Sequence, residues 1–304
     1  MEIRETTIPS ADGEHQLFCR VFVPEGEIKG LLQVVHGMTD HICRYERFMR
    51  EMAEQGLVCF GIDNLGHGRT AEADNSFGYI GKWEWMVDDV RSTVKMMKEQ
   101  YGASLPCVLL GHSMGSFIAR CATTPKLWDK AIYMGTGGPN PASRAGLAYI
   151  RALIKKDGEH GYSSSVEKLM FGSYASHFEG ENDFMAMLST IDEVKQAYRE
   201  DRYCTFRFTL NGFYVLVKLQ MLCNRSTWYK NVSANVPIFL ISGSEDPVGN
   251  YGKGVQAVYR LLRKNNKNAE MKLYQNCRHE ILNDTCSEEV VKDILTFIFQ
   301  GTSA

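Results

Sequence analysis

The chemistry-bearing residues are most visible at Gly111-His112-Ser113-Met114-Gly115, the chain's single G-x-S-x-G. A chain of this length shows such a pentapeptide by chance roughly one time in ten, so its surroundings decide its meaning. It follows an apolar run, Cys107 to Leu110, and leads into Phe117, Ile118 and Cys121 at helical spacing. That is the strand, sharp turn and helix of a nucleophile elbow, whose glycines let the backbone crowd a strained serine. A serine hydroxyl is a poor nucleophile without a base in hydrogen-bond reach. Among the eight histidines, His279 alone lies late in the chain, in the loop Cys277-Arg278-His279-Glu280 after the run Met271 to Tyr274. The base in turn needs a carboxylate to fix its tautomer. Asp246 is assigned that part, in the turn Ser242 to Pro247 after the run Ile238 to Ile241; Glu245 is its rival and Asp284 a more distant one.

An oxyanion formed at an acyl carbonyl needs preorganised N–H donors, each worth about 3 kcal/mol of barrier. The backbone amides of Met114, next to the nucleophile, and of Met38, in His36-Gly37-Met38, are the expected pair. Asp63 to Thr70 is glycine-rich but lacks a G-x-x-x-x-G-K-[ST] signature, and reads as a packed turn near the site. His36, His41, His67 and His112 are expected to make structural hydrogen bonds near the site, and His15 and His160 to lie at the surface.

These residues must be positioned by a sheet. An alternating opening, Ile3 to Ile8 and Gln16 to Val23 about a turn at Ala11-Asp12-Gly13, predicts a hairpin. Short continuous apolar runs follow at Leu31 to Val35, Leu57 to Ile62, Cys107 to Leu110, Ala131 to Met134 and Ile238 to Ile241, the pattern of strands buried on both faces. Helical segments alternate with them, most clearly Trp83 to Gln100, then Val255 to Leu262 and Val290 to Ile298. The predicted class is α/β, a mostly parallel doubly wound sheet with functional groups at the carboxyl ends of its strands. Between Gly137 and Asn235 no parallel-strand signal occurs, and Met170, Phe171, Phe184, Met185, Met187, Phe206, Phe208, Phe213 and Tyr214 crowd the segment. Residues 137–235 are therefore expected to form an inserted, mainly helical cap, with 1–136 and 236–304 as the core. Its methionines and aromatics fit a long acyl group, or equally the cap's own core.

At 304 residues the chain can bury a large core without disulfides or a metal. A formal net charge of −2 with no basic stripe argues against nucleic acid as a partner. No apolar run is long enough to span a bilayer, the most lipid-like stretch, Phe213 to Cys223, being interrupted by Lys218. The first ten residues lack the apolar core of a signal peptide, and nine cysteines without paired spacing fit a reducing cytoplasm. No cofactor and no metal are expected.

Taken together, His36 to His41 with Arg44-Tyr45, Asp63 to Thr70, Gly111 to Gly115, Gly243 to Pro247 and His279 resemble the monoacylglycerol lipase and lysophospholipase group of α/β-hydrolases, especially its bacterial members. Phe171 to Tyr174, His177-Phe178 and Cys204 to Thr209 are similar to caps of that group. The resemblance implies cofactor-free hydrolysis of single-chain glycerol or phospholipid esters, a mobile lid over an acyl tunnel, and transient contact with lipid through the cap. Thr70 departs from the serine usual there. Two other readings share the fold: a peptidase of the proline-iminopeptidase kind, for which Glu179, Glu181 and Asp183 could bind a substrate amine, and a binding protein without turnover.

Overall fold

The computed structural model describes residues 1–172, 174, 177–178 and 184–300. Its eight strands are β1 (Glu2–Pro9), β2 (Gln16–Val23), β3 (Gly30–Val35), β4 (Leu57–Ile62), β5 (Cys107–His112), β6 (Lys130–Met134), β7 (Ile238–Gly243) and β8 (Ala269–Tyr274). They form one sheet in the order β1-β2-β4-β3-β5-β6-β7-β8. The opening hairpin is antiparallel and β2 runs antiparallel to β4; every later pairing is parallel. β3, β4, β5 and β7 are buried at every position, which is why their sequences are continuous apolar runs rather than alternating ones.

The helices are α1 (Glu46–Glu54), α2 (Gly68–Glu72), α3 (Trp83–Tyr101), α4 (Met114–Ala122), α5 (Ser143–Asp157), α6 (Ser164–Phe171), α7 (Asp192–Glu200), α8 (Leu210–Cys223), α9 (Ser226–Asn231), α10 (Lys253–Lys264) and α11 (Ser287–Phe299). Two apolar cores result, one on each face of the sheet. Met86, Val87, Val90, Val94 and Met97 of α3 join Ile118 and Ala119 of α4 against one face. Phe48, Met49 and Met52 of α1 and Val290, Ile294 and Phe297 of α11 cover the other. This sandwich of helices on both faces fixes the strand ends, from which the loops of the site depart.

Between β6 and β7 the described residues contain helices and no strand. α8 is apolar around most of its circumference because it packs on α3, α4 and α5 at once; Phe213, Val215 and Leu219 belong to the main core. The stretch that looked most lipid-like is thus an internal helix, and no helix among the described residues is long and apolar enough to cross a membrane. A separate small cluster, Phe178, Ala186, Met187, Leu188, Tyr198 and Cys204, forms within this stretch between β6 and β7.

Candidate active site

Ser113 stands between the end of β5 and the start of α4 with φ 53° and ψ −122°, in the left-handed region that a residue with a Cβ avoids. The flanking glycines make that turn possible: a Cβ at Gly111 would collide with the Gly115 carbonyl oxygen, and one at Gly115 with that of Val35. The backbone N–H of Ser113 donates to the Met134 carbonyl of the neighbouring strand end at 2.9 Å, fixing the elbow to the sheet.

Asp246 and His279 come from the turns after β7 and β8. His279 Nδ1 lies 2.9 Å from Asp246 Oδ1, and both side chains are almost fully buried. Asp246 also accepts from the Ser242 hydroxyl at 2.8 Å and the Val248 amide at 2.9 Å. Burial disfavours its charge, but His279 and these donors outweigh burial and leave its pKa below the ordinary value. For His279 burial again works against charge, and the Asp246 carboxylate more than offsets it, so the imidazole pKa sits above 6.5. Glu245 makes no such contact; its amide donates to the Cys277 carbonyl at 3.0 Å, which ties the two turns together. Asp284 accepts the Arg278 amide at 2.8 Å and so anchors the loop that carries His279.

Met38 lies in the loop after β3, and its N–H donates to no acceptor among the described residues. Met114 is the first residue of α4, where N–H groups have no partner within the helix. Ser113, His279, Met38 and Met114 all line one cavity of about 820 Å³. Much of the rest of its lining is apolar: Ile150 of α5, Leu169, Met170 and Phe171 of α6, Phe184, Met187, and Leu216 and Val217 of α8. The aromatic residues of the insertion therefore divide. Phe171 and Phe184 face the cavity, whereas Phe206 and Phe208 pack around His67.

The insertion and the site share backbone hydrogen bonds. The His279 amide donates to the Met187 carbonyl at 3.0 Å and the Glu280 amide to that of Leu188 at 2.7 Å, so the segment 184–188 is strapped to the loop bearing His279.

Several of the remaining histidines make structural bonds or ring contacts. His36 Nδ1–H donates to the Gly37 carbonyl at 2.8 Å while Nε2 accepts the Asn64 amide at 2.9 Å. His67 bonds the Leu65 carbonyl, and burial lowers its pKa to about 3. His112 Nε2 lies 3.2 Å from the His279 carbonyl, with the two rings 4.7 Å apart. Burial, followed by the nearby His279 charge, lowers the His112 pKa to about 4, so His112 is not a second cation beside His279. His41 differs: burial opposes its charge, but Cys43, Asp40 and Asp201 raise its pKa to about 9. His160 is exposed and stacks on Tyr79 at 4.0 Å, and His15 is half-buried between Asp12 and Asp74.

Asp63 Oδ1 accepts the Ile42 amide and Oδ2 the Arg69 amide, both at 2.8 Å, making the loop after β4 a packed turn that runs into α2. Thr70 does what its hydroxyl requires: it donates to the Asp63 carbonyl at 2.7 Å and accepts the Phe18 amide at 2.9 Å.

One assembly was not assigned roles from sequence. Arg44 makes a two-pronged ion pair with Glu280, both contacts 2.7 Å, and a third bond to Asp40 at 3.1 Å. Asp40 Oδ2 also lies 2.8 Å from the Tyr45 hydroxyl, itself 2.8 Å from His112 Nδ1. Burial disfavours the Asp40 charge, but Arg44 and three histidines overcome it and hold its pKa well below the carboxylate range. The network joins the loop of Met38 to the loop of His279. Its signal in the sequence was weak: Asp40, Arg44 and Glu280 are charged residues beside buried strand ends, but 236 positions separate Arg44 from Glu280.

A mostly parallel sheet with a strained serine at the end of a central strand, and a histidine–aspartate pair beyond the last two strands, defines an α/β-hydrolase. The chain belongs to the serine aminopeptidase S33 family of these hydrolases, whose sequence model matches residues 26–286. It is similar to human monoglyceride lipase, 27% identical over 89% of this chain and 81% of the relative. It is likewise similar to a monoacylglycerol lipase of Mycolicibacterium smegmatis, 24% identical over 91% of both. Among solved structures, a thermostable carboxyl esterase from Bacillus coagulans superposes with a TM-score of 0.92 at 29% identity, over 98% of both chains.

Proposed function

We propose that the protein is a serine esterase that cleaves single-chain acyl esters, of the monoacylglycerol or lysophospholipid kind, through an acyl-enzyme. The observation that carries this reading is the meeting of Ser113, His279, Met38 and Met114 in one cavity whose remaining lining is largely apolar. Ser113 Oγ attacks the ester carbonyl as His279 Nε2 takes its proton. His279 Nδ1–H keeps donating to the Asp246 carboxylate, which fixes the tautomer and stabilises the imidazolium. The Met38 and Met114 amides receive the oxyanion. His279 returns the proton to the leaving alcohol, and water repeats the cycle to release the acid. Residues 137–235 act as the cap, with Leu169, Met170, Phe171 and Phe184 holding the acyl chain. The names of the relatives, lipases and an esterase, support ester over amide substrates.

The family description favours a second reading, an aminopeptidase. Such an enzyme needs a carboxylate free to bind the substrate amine. Among the described residues the cavity's acids are Asp40 and Glu280, and Arg44 already pairs with both. Glu179, Glu181 and Asp183 lie outside the described residues. A non-catalytic binding role gives no reason for the strained serine or for the buried His279–Asp246 pair.

The test is a comparison of kcat/KM on p-nitrophenyl esters from acetyl to long chain, on monoacylglycerols and on an aminoacyl amide. The expected result is a preference for octanoyl over acetyl and no turnover of the amide. A preference for acetyl overturns the lipase reading, and turnover of the amide above the esters moves the protein to the peptidases.

A further inference from the structure

His41, Asp201 and Cys204 take no part in the chemistry above and do not line the cavity. Yet they bring a nitrogen, a carboxylate oxygen and a sulfur together where the loop after β3 meets the insertion, all within 4.8 Å of one another. We propose that these three side chains form a binding site for a divalent transition metal of zinc-like softness, which would clamp the insertion onto the loop carrying Met38.

The donor set fits that ion. Imidazole, thiolate and carboxylate are the ligands zinc takes, at about 2.0–2.3 Å, which in a tetrahedral site sets the ligand atoms roughly 3.3–3.5 Å apart. His41 Nε2 and Asp201 Oδ2, now 2.8 Å apart, would open slightly around the ion, and the sulfur would close in by a side-chain adjustment of about 1 Å. The ligands are held in advance by their own backbones and neighbours. Asp201 Oδ1 accepts the Tyr203 amide at 2.8 Å, and the Cys204 amide closes a turn on the Asp201 carbonyl at 2.9 Å. The His41 amide is fixed by Asp40 Oδ1 at 2.8 Å, and the Tyr203 ring packs on the imidazole with centroids 5.3 Å apart. Such outer contacts are what orient metal ligands.

Cys204 packs with Tyr198 in the small apolar cluster of this segment. It is 3% exposed, and its Sγ makes no hydrogen bond among the described residues. The His41–Asp201 pair would satisfy itself without it. Asp201 is 27% exposed, so solvent can supply the fourth ligand from that side. Binding replaces the thiol proton, and the proton shared by His41 and Asp201, with the metal, and these protons leave to solvent. The ion would not touch Ser113 or His279. It would add one cross-link where the Thr39 hydroxyl and the Tyr198 hydroxyl already meet at 2.7 Å.

The experiment is titration of the reduced, chelator-treated protein with cobalt(II) as a spectroscopic probe, followed by zinc in competition, on the wild type and on Cys204→Ser, Asp201→Asn and Cys43→Ser. The expected result is one cobalt per chain with a thiolate-to-cobalt charge-transfer band, displaced by one equivalent of zinc, and a melting temperature that rises with zinc. Cys204→Ser loses the band, Asp201→Asn binds roughly tenfold or more weakly, and Cys43→Ser keeps both band and affinity. Absence of the band at saturating cobalt overturns the proposal, as does a band that survives in Cys204→Ser or disappears in Cys43→Ser. Should Cys204→Ser fail to fold, the half-exposed Asp201→Asn decides, and unchanged affinity there overturns it equally.

Discussion

On the sheet side of the cavity, position is held by directional bonds among buried charges. Asp246 takes three donors, and Arg44 joins Asp40 to Glu280 beside the base. On the opposite side, position comes from apolar packing, with the Phe171 ring 5.1 Å from that of Phe184 and 5.9 Å from that of Phe213. The difference separates two tasks. Hydrogen-bonded buried groups tolerate little displacement and suit proton transfer, whereas apolar contacts can re-form around acyl chains of different length. The comparison therefore expects steep, all-or-none losses from one wall and graded changes in selectivity from the other.

Short of removing the proposed nucleophile or base, the largest loss expected is from Asp246→Asn, which keeps the shape but spoils the tautomer; kcat should fall by about four orders of magnitude. Glu245→Gln should leave kcat within a few-fold, and a comparable loss there would move the acid role to Glu245. Next in size is Arg44→Leu, which strands the buried Asp40 and Glu280 carboxylates. Unfolding in urea should show about 3–5 kcal/mol less stability, and an unchanged midpoint would remove the ion-pair chain from the description of the rigid wall. On the apolar wall, Phe171→Ala should reduce kcat/KM for an octanoyl ester by about tenfold with a smaller change for acetyl, as expected from lost apolar contact. Equal losses on both esters would mean that Phe171 supports the site rather than reads the chain.

The smallest effect is in pH dependence. As the proposed base, His279 must be neutral to accept the serine proton, and burial notwithstanding, the Asp246 carboxylate holds its pKa above 6.5. kcat/KM should therefore rise with pH along an acid limb of roughly tenfold per unit, levelling off only above that value. In stability the same raised pKa acts oppositely. The charged His279–Asp246 pair contributes fully below pH 6.5, and its contribution fades as pH climbs through the folded-state pKa. Asp246→Asn should bring the limb down toward lower pH.

The two walls also differed in how far the sequence disclosed them. Strands buried on both faces leave continuous apolar runs, so β3 to β7 and the turn at Ser113 were readable, and β8 was found with its His279 loop. Asp246 was assigned ahead of its rival Glu245, but the two are adjacent, and only the path of the turn, tied by the Glu245 amide to Cys277, turns Asp246 toward His279. The Arg44–Glu280 pair was hidden by its sequence separation. In the insertion, helical content was legible but helix boundaries were not: α8 is apolar on nearly every face because it meets α3, α4 and α5 together, so it carries no amphipathic stripe to mark its orientation. The split of the aromatic residues between the cavity and the packing around His67 depends on tertiary placement alone.

The most direct measurement of the central claim is mass-spectrometric location of a fluorophosphonate adduct. One adduct per chain on the peptide containing Ser113, lost together with ester hydrolysis in Ser113→Ala, is the result this account predicts. An adduct on another residue, or labelling and turnover that persist in Ser113→Ala, would contradict it.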